Sequence, residues 1–491
     1  MAAWIVCALC ALVILKPQEF IPALAGLPLL YIAFVAAAVL VVFDVCWRRV
    51  RPALAPQLPF ALAFFAWALL TTAVKVPAVV GERIPIFITA TGVLLAMAVG
   101  AASTRGLTAF AVTFLACGIV VTAVALKQGS GPLVCMSAAP DDWMGTGELV
   151  ADGRSCATDY DCYQNAPDPE GNYRCERQGP LGTATVRGRV RYRGSLADPN
   201  ELSLMVGMTL PFAFALADRS RRRRREESLA LRTSRVPRLA PGVPVLLTDG
   251  LLARLGAALR AIPVGALVIA IAVMVVMTRS RTGVIVFLVV LGLYFVKRSG
   301  PWGVVIGCFV GPPMLLLGGR SGSEAEESAD ERLGLLREGL EMIRNTKGIG
   351  VGTGQFMHES SIGLTAHNSY LLAAAEAGLV GACLFGLTLY AAAKVPLAIW
   401  FGEYRIDDTV RRFAPAVFVS LCGAIAGIFF LSWSYKDVLY MAIGASAALY
   451  GAARGQDERV SVRVSPKEIA LVCAGVVGLL AAVFVGVRFL G

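Results

Sequence analysis

At 491 residues the chain is long enough for several soluble domains, yet 57% of it is hydrophobic and only 16% is charged. Apolar runs of about 15 to 25 residues recur from end to end, the pattern of a polytopic helical membrane protein rather than a set of water-soluble units. The net charge of +11 does not point to nucleic acid, because basic residues gather in short connections such as Arg48, Arg49, Arg51 and the run 221–225. That is a positive-inside pattern.

Lipid offers no partners to open strand edges, so the expected class is all-α, a transmembrane helix bundle of about 12–13 spans with two large extracytoplasmic loops. Spans one to five fall within 1–127. The apolar start carries no basic n-region, so the first helix is expected to stay in place as a span rather than be cleaved. The charge bias places the loop 128–197 outside. Of the twelve cysteines, Cys7, Cys10, Cys46, Cys117, Cys308, Cys383, Cys422 and Cys473 lie in or beside apolar runs and read as small packing residues. The other four, Cys135, Cys156, Cys162 and Cys175, share the polar outer loop. Their even number suits two disulfides in an oxidising compartment, with the pairing open, and their spacing is not that of a metal site.

The outer loop ends in Thr-Val-Arg-Gly-Arg-Val-Arg-Tyr-Arg, with Arg187, Arg189, Arg191 and Arg193 at every second position. In an extended strand all four guanidinium groups would share a face, either as a charged edge or as a clamp for phosphate oxygens. Asp198-Pro199-Asn200-Glu201 then reads as a helix start, with Asp198 as N-cap and Pro199 at the first helical position of span six, 198–217. The basic segment 218–260 is expected to lie inside, near lipid headgroups.

Spans seven to nine are expected within 261–317. Between the seventh and eighth, Arg279-Ser280-Arg281-Thr282-Gly283 puts two arginines at a tight outer turn, against the charge rule, which marks them as functional candidates. The second outer loop, 318–366, contains an amphipathic helix over 330–346, suited to the membrane surface. The spans of 367–491 complete the bundle. At their start stand His367 and Asn368, and the chain's one other histidine, His358, precedes them. A neutral imidazole at a helix N-terminus beside arginines can accept a proton from a hydroxyl, whereas two histidines ten residues apart do not make a metal pair. Glu376 lies about 13 Å further along that helix and on its opposite face, so it reads as a bundle contact rather than a partner of His367. The glycine run 348–354 lacks the strand and helix context of a nucleotide loop. Ionisable groups collect at the outer boundary rather than in mid-membrane, which suits chemistry on a lipid-anchored substrate better than transport.

Arginine before Asp-Pro-Asn, then Ser-Arg-Thr-Gly, then Gly350-x-Gly352-x-x-x-Phe356 followed by His367-Asn368-x-Tyr370-Leu371 and Glu376-x-Gly378-Leu379-x-Gly381, occur in that order. Together they resemble the O-antigen ligase and O-antigen polymerase (Wzy-type) superfamily of membrane glycosyltransferases over roughly 187–433. The resemblance implies an inverting transfer of glycan from an undecaprenyl-diphosphate donor to a hydroxyl of a glycan or lipid-core acceptor. That chemistry belongs to cell-envelope polysaccharide synthesis, at the periplasmic face of the bacterial inner membrane, with no cofactor, metal or nucleic acid. It implies that His367 orients or deprotonates the acceptor hydroxyl and that Arg281, with Arg279 beside it, holds the donor diphosphate. The arginine before Asp-Pro-Asn matches Arg193, with Arg191 next. Asp198, Asn200 and Asn368 support. The four-cysteine insert has no counterpart in the family pattern, and ligase and polymerase stay open. The rival class is a transporter of lipid-linked sugar or glycan with no chemistry.

Overall fold

The computed structural model describes residues 2–24, 26–47, 53–138, 149–164, 166–168, 170–218, 262–300, 302, 303, 305 and 323–490. The chain is mostly helical. Among the described residues ten helices are long and apolar enough to cross a membrane. They begin with α1 (Ala2–Leu15), α2 (Leu29–Cys46), α3 (Gln57–Lys75), α4 (Val80–Gly100) and α5 (Thr104–Gly129). After a small cysteine-bearing module with the one-turn helix α6 (Asp159–Tyr163) come α7 (Pro199–Ala217), the shorter α8 (Ile262–Met277) and α9 (Arg281–Ser299). Next are the amphipathic α10 (Ser323–Asn345) and the one-turn α11 (Phe356–Glu359). The bundle closes with α12 (Ser369–Phe401), α13 (Asp408–Gly427), α14 (Asp437–Arg454) and α15 (Pro466–Leu490). The expected ninth span near 304–317, the basic segment 219–260, Cys308 and Arg48, Arg49 and Arg51 lie outside the described residues.

Packing follows composition. The small and aliphatic α14 is buried on nearly every side and lies against α4, while α12 packs on α3, and α7 fits between α9 and α13. Side chains pin the ends. At one end the Asp407 carboxylate accepts from Thr104 and from Gln456, and Arg412 donates to the Asp218 carbonyl. The other end carries the cysteine module, the 279–281 turn, α10 and the start of α12, so the candidate residues Asp198, Asn200, Arg279, Arg281, His367 and Asn368 lie at that end.

The module is not helical. β1 (Leu133–Ala138) pairs antiparallel with both β2 (Val150–Ser155) and β3 (Asn172–Arg177), giving the order β2-β1-β3. Disulfides join Cys135 to Cys162 and Cys156 to Cys175, which resolves the pairing that spacing left open. An apolar core too small to hold a sheet alone makes such staples necessary. Non-reducing mass mapping is expected to recover those two linkages, and free thiols at any of the four positions would contradict the fold of the module.

The arginine strip departs from the expected strand. Arg187 and Gly188 both have positive φ, +50° and +68°, as in a type I′ turn. Val186 and Arg189 exchange both backbone hydrogen bonds across it. Glu176, at the end of β3, accepts from the Arg187 and Gly188 N–H groups and from the Thr185 hydroxyl, and so holds the turn. The chain reverses inside the strip, so the four guanidinium groups do not share a face.

Helix α12 also differs from its expected form. It runs 33 residues, about 50 Å at 1.5 Å per residue and more than a bilayer core requires. It is interrupted at Gly378, whose φ of +72° and ψ of −177° are not helical. The glycine run enters the break: Val351 N–H donates to the Ala375 carbonyl, Gly352 N–H to Glu376, and Leu379 N–H to Gly348. A Cβ on Gly350 would stand 2.4 Å from the Glu376 carbonyl oxygen, so the close approach excludes any side chain. The run is therefore a plug within the helix, deeper than the external loop expected from sequence, and it satisfies backbone groups that lipid would leave unpaired.

Candidate functional site

The first half of the site is built where α7 and α9 begin. Asp198 caps α7 by accepting from Asn200 N–H, and Pro199 takes the first helical position, as the sequence indicates. The Asn200 side-chain amide donates to Asp198 at 2.8 Å, which leaves its carbonyl oxygen facing α9. Ser280 caps α9 by accepting from Gly283 N–H and donates its own hydroxyl to that oxygen at 2.7 Å. Arg189 reaches the same oxygen at 3.3 Å and donates from Nε to the Thr278 carbonyl. Asn200, Ser280 and Arg189 are all buried, so each bond is made without competition from water.

This network fixes the turn that displays Arg279 and Arg281. Both are exposed, and Arg279 has a φ of +46°. A residue with a Cβ in that conformation is strained by about 1–2 kcal/mol, and the bonds from Arg189 and Ser280 on either side hold it. The other arginines go elsewhere. Arg191 donates from Nε to the Ala184 carbonyl, and Arg193 donates to the carbonyls of Glu19 and Gly182. Arg189 thus bonds the Asp-Pro-Asn helix through Asn200, while Arg193, the residue expected from the sequence, donates to the Glu19 and Gly182 carbonyls. Arg187 points to solvent.

The second half is the start of α12. Asn368 is its N-cap and accepts from both Tyr370 and Leu371 N–H, worth about 1 kcal/mol to the helix. His367 stands one residue before the cap, half-buried, with a φ of +47°. It is therefore not the first helical residue, as the sequence suggested, but sits just beyond the helix end. His358 lies on the exposed α11. Glu376 is buried and accepts from the N–H groups of Gly354 and Phe356, so its carboxylate clamps the glycine plug.

A segment the sequence reading passed over joins the two halves. Between α13 and α14 the run Ser432-Trp433-Ser434-Tyr435-Lys436 interrupts two apolar spans. Ser369 donates its hydroxyl to the Leu431 carbonyl and accepts from Trp433 N–H, while Ser434 donates to the Ser369 carbonyl. Lys436 forms an ion pair with Glu201 at 3.2 Å. One strap thus ties the residue after His367-Asn368 to the residue after Asn200. Its polar content between two spans was the available signal.

Fold and site together define a polytopic helical membrane protein with arginines and a histidine assembled on one end of the bundle. Within it, residues 266–386 match the family model described as O-Antigen ligase. That stretch takes in Arg279, Arg281, His367 and Asn368, while Arg189, Asp198 and Asn200 stand before it. No curated protein and no solved structure gives a match to the chain.

Proposed function

We propose that the protein is a glycosyltransferase of the O-antigen ligase or polymerase type, working on the extracytoplasmic face. Donor glycan on undecaprenyl diphosphate sits with its diphosphate at Arg279 and Arg281, and Arg189 holds the turn that presents them. An acceptor sugar hydroxyl attacks the anomeric carbon from the face opposite the diphosphate. The glycosidic C–O bond forms as the bond to the diphosphate oxygen breaks, inverting the centre. The hydroxyl proton passes to His367, and undecaprenyl diphosphate leaves with its negative charge balanced by guanidinium groups. The scheme calls on no metal, since the arginines supply the charge. What carries the reading is the pair of tethers, Arg189–Asn200–Ser280 and the strap from Ser369 to Glu201. They draw separated segments that resemble the family's motifs onto one end of the bundle.

The test is transfer by the purified chain in lipid nanodiscs, where nothing can be moved from one side to another. Covalent product is expected, at a rate unchanged by a chelator. Movement of donor across vesicle membranes with no product in nanodiscs would instead establish a transporter.

A further inference from the structure

A cavity of about 450 Å³ opens beside the strap, enclosed by α1, α2, α4, the glycine plug, α12 and the start of α14. Its size is within the range of small-molecule sites, about 300–1,000 Å³. Val13, Leu30 and Ile86 give it an apolar wall. Across from them stand Arg83, Thr353, Ser432, Trp433, Tyr435 and Glu376. Arg83 Nε and Ser432 Oγ are buried and make no hydrogen bond among the described residues, while the Tyr435 hydroxyl lies within reach of Thr353 and Glu376, and the Trp433 indole N–H within reach of Glu201, without closing hydrogen bonds of ordinary geometry. Leaving one such group unpaired costs about 1–3 kcal/mol, so Arg83 and Ser432 call for a partner in the cavity, and the looser Tyr435–Thr353–Glu376 group beside them can take one.

The chemistry of the set selects its occupant. Three hydroxyls both give and take hydrogen bonds, the guanidinium and indole only give, and the Glu376 carboxylate only takes. A hydrocarbon tail would leave Arg83 and Ser432 unpaired. A phosphate would meet the carboxyl groups of Glu376 and Asp437, and the two lysines of the lining, Lys16 and Lys436, are already paired with Glu19 and Glu201. A neutral ring bearing several hydroxyls, with apolar C–H faces to lie against the Trp433 and Tyr435 rings, satisfies both kinds of wall. We infer that this cavity is a sugar subsite that takes one hydroxyl-rich ring of a glycan, on the other side of the strap from the 279–281 turn. The subsite deepens the transferase reading by giving a glycan a seat of its own beside the strap, although sugar binding here does not itself require transfer. The ring belongs either to the acceptor or to the donor glycan.

The test is photolabelling of the wild-type chain in nanodiscs with a diazirine-bearing octyl glucoside, followed by mass mapping. Adducts are expected on residues 353–357 and 432–438. Labelling confined to other segments, or none above that of a sugar-free octyl diazirine, would leave the cavity with water only and overturn the inference. The double variant Thr353→Val with Ser432→Ala is expected to lower labelling by about tenfold, each lost hydroxyl contributing a modest factor; unchanged labelling would count against the subsite. Competition by acceptor glycan alone assigns the ring to the acceptor, and competition by lipid-linked donor glycan assigns it to the donor, while sugar-free undecaprenyl diphosphate is expected not to compete. Labelling in the cavity without any transfer would overturn the transferase reading alone. Transfer without labelling would overturn the subsite alone.

Discussion

Replacing His367 by alanine is expected to lower single-turnover transfer by about 10² or more, while the donor dissociation constant stays within about twofold. The residue stands just before the N-cap of α12, and in the proposed reaction it receives the acceptor's proton. Its loss should therefore remove a proton acceptor, not a phosphate ligand. Because His367 has a φ of +47°, an alanine effect mixes chemistry with backbone strain. Asparagine separates the two, since it tolerates the left-handed conformation better than most residues and cannot act as a base at neutral pH. His367→Asn is expected to be as slow as His367→Ala. If the asparagine variant kept a rate within threefold of the wild type, the histidine would be a shaping residue and the base would have to be sought elsewhere.

Arg281→Ala is expected to weaken donor binding by about 10- to 100-fold as well as slowing transfer, the range for loss of charge-assisted hydrogen bonds to a phosphate. The helix that begins at Arg281 is capped by the Ser280 hydroxyl, and the turn is held by Asn200 and Arg189. Arg281→Lys should recover only part of the affinity, because an ammonium is a point charge without the planar fork that spans two oxygens. Titration of undecaprenyl diphosphate against the three forms measures this directly. Equal affinities would remove the diphosphate from this turn. Arg189→Ala gives a contrasting pattern, with both affinity and thermal stability expected to fall, since its guanidinium is buried between Thr278 and Asn200.

Much of the architecture could be read from the sequence because lipid is a demanding solvent, in which apolar length sets the spans. The caps were also legible, since Asp198 before Pro199 and Asn368 before an apolar run act through neighbours in the chain. What could not be read depends on contacts remote in sequence or on backbone signs. Alternation of arginines predicts a strand only if φ stays negative, and one Arg-Gly pair with positive φ turns the chain so that Arg189 reaches Asn200. The glycine run looked like an outer loop because nothing local shows that its partner is a break at Gly378. The strap at 431–436 was hidden for a similar reason: its hydrogen bonds reach residues more than sixty positions away.

The cysteine module reaches as far as the 279–281 turn. Cys175, in β3, is bridged to Cys156, and the next residue, Glu176, holds the Arg187-Gly188 turn from which Arg189 reaches Asn200. The arginine that steadies the 279–281 turn is thus suspended from a strand whose own anchorage is oxidative. A chain that has inserted all its helices still has its cysteines as thiols until it meets an oxidant, and until then this suspension lacks its fixed point. The geometry of the 279–281 turn is thus coupled, through one strand, to whether a disulfide is closed.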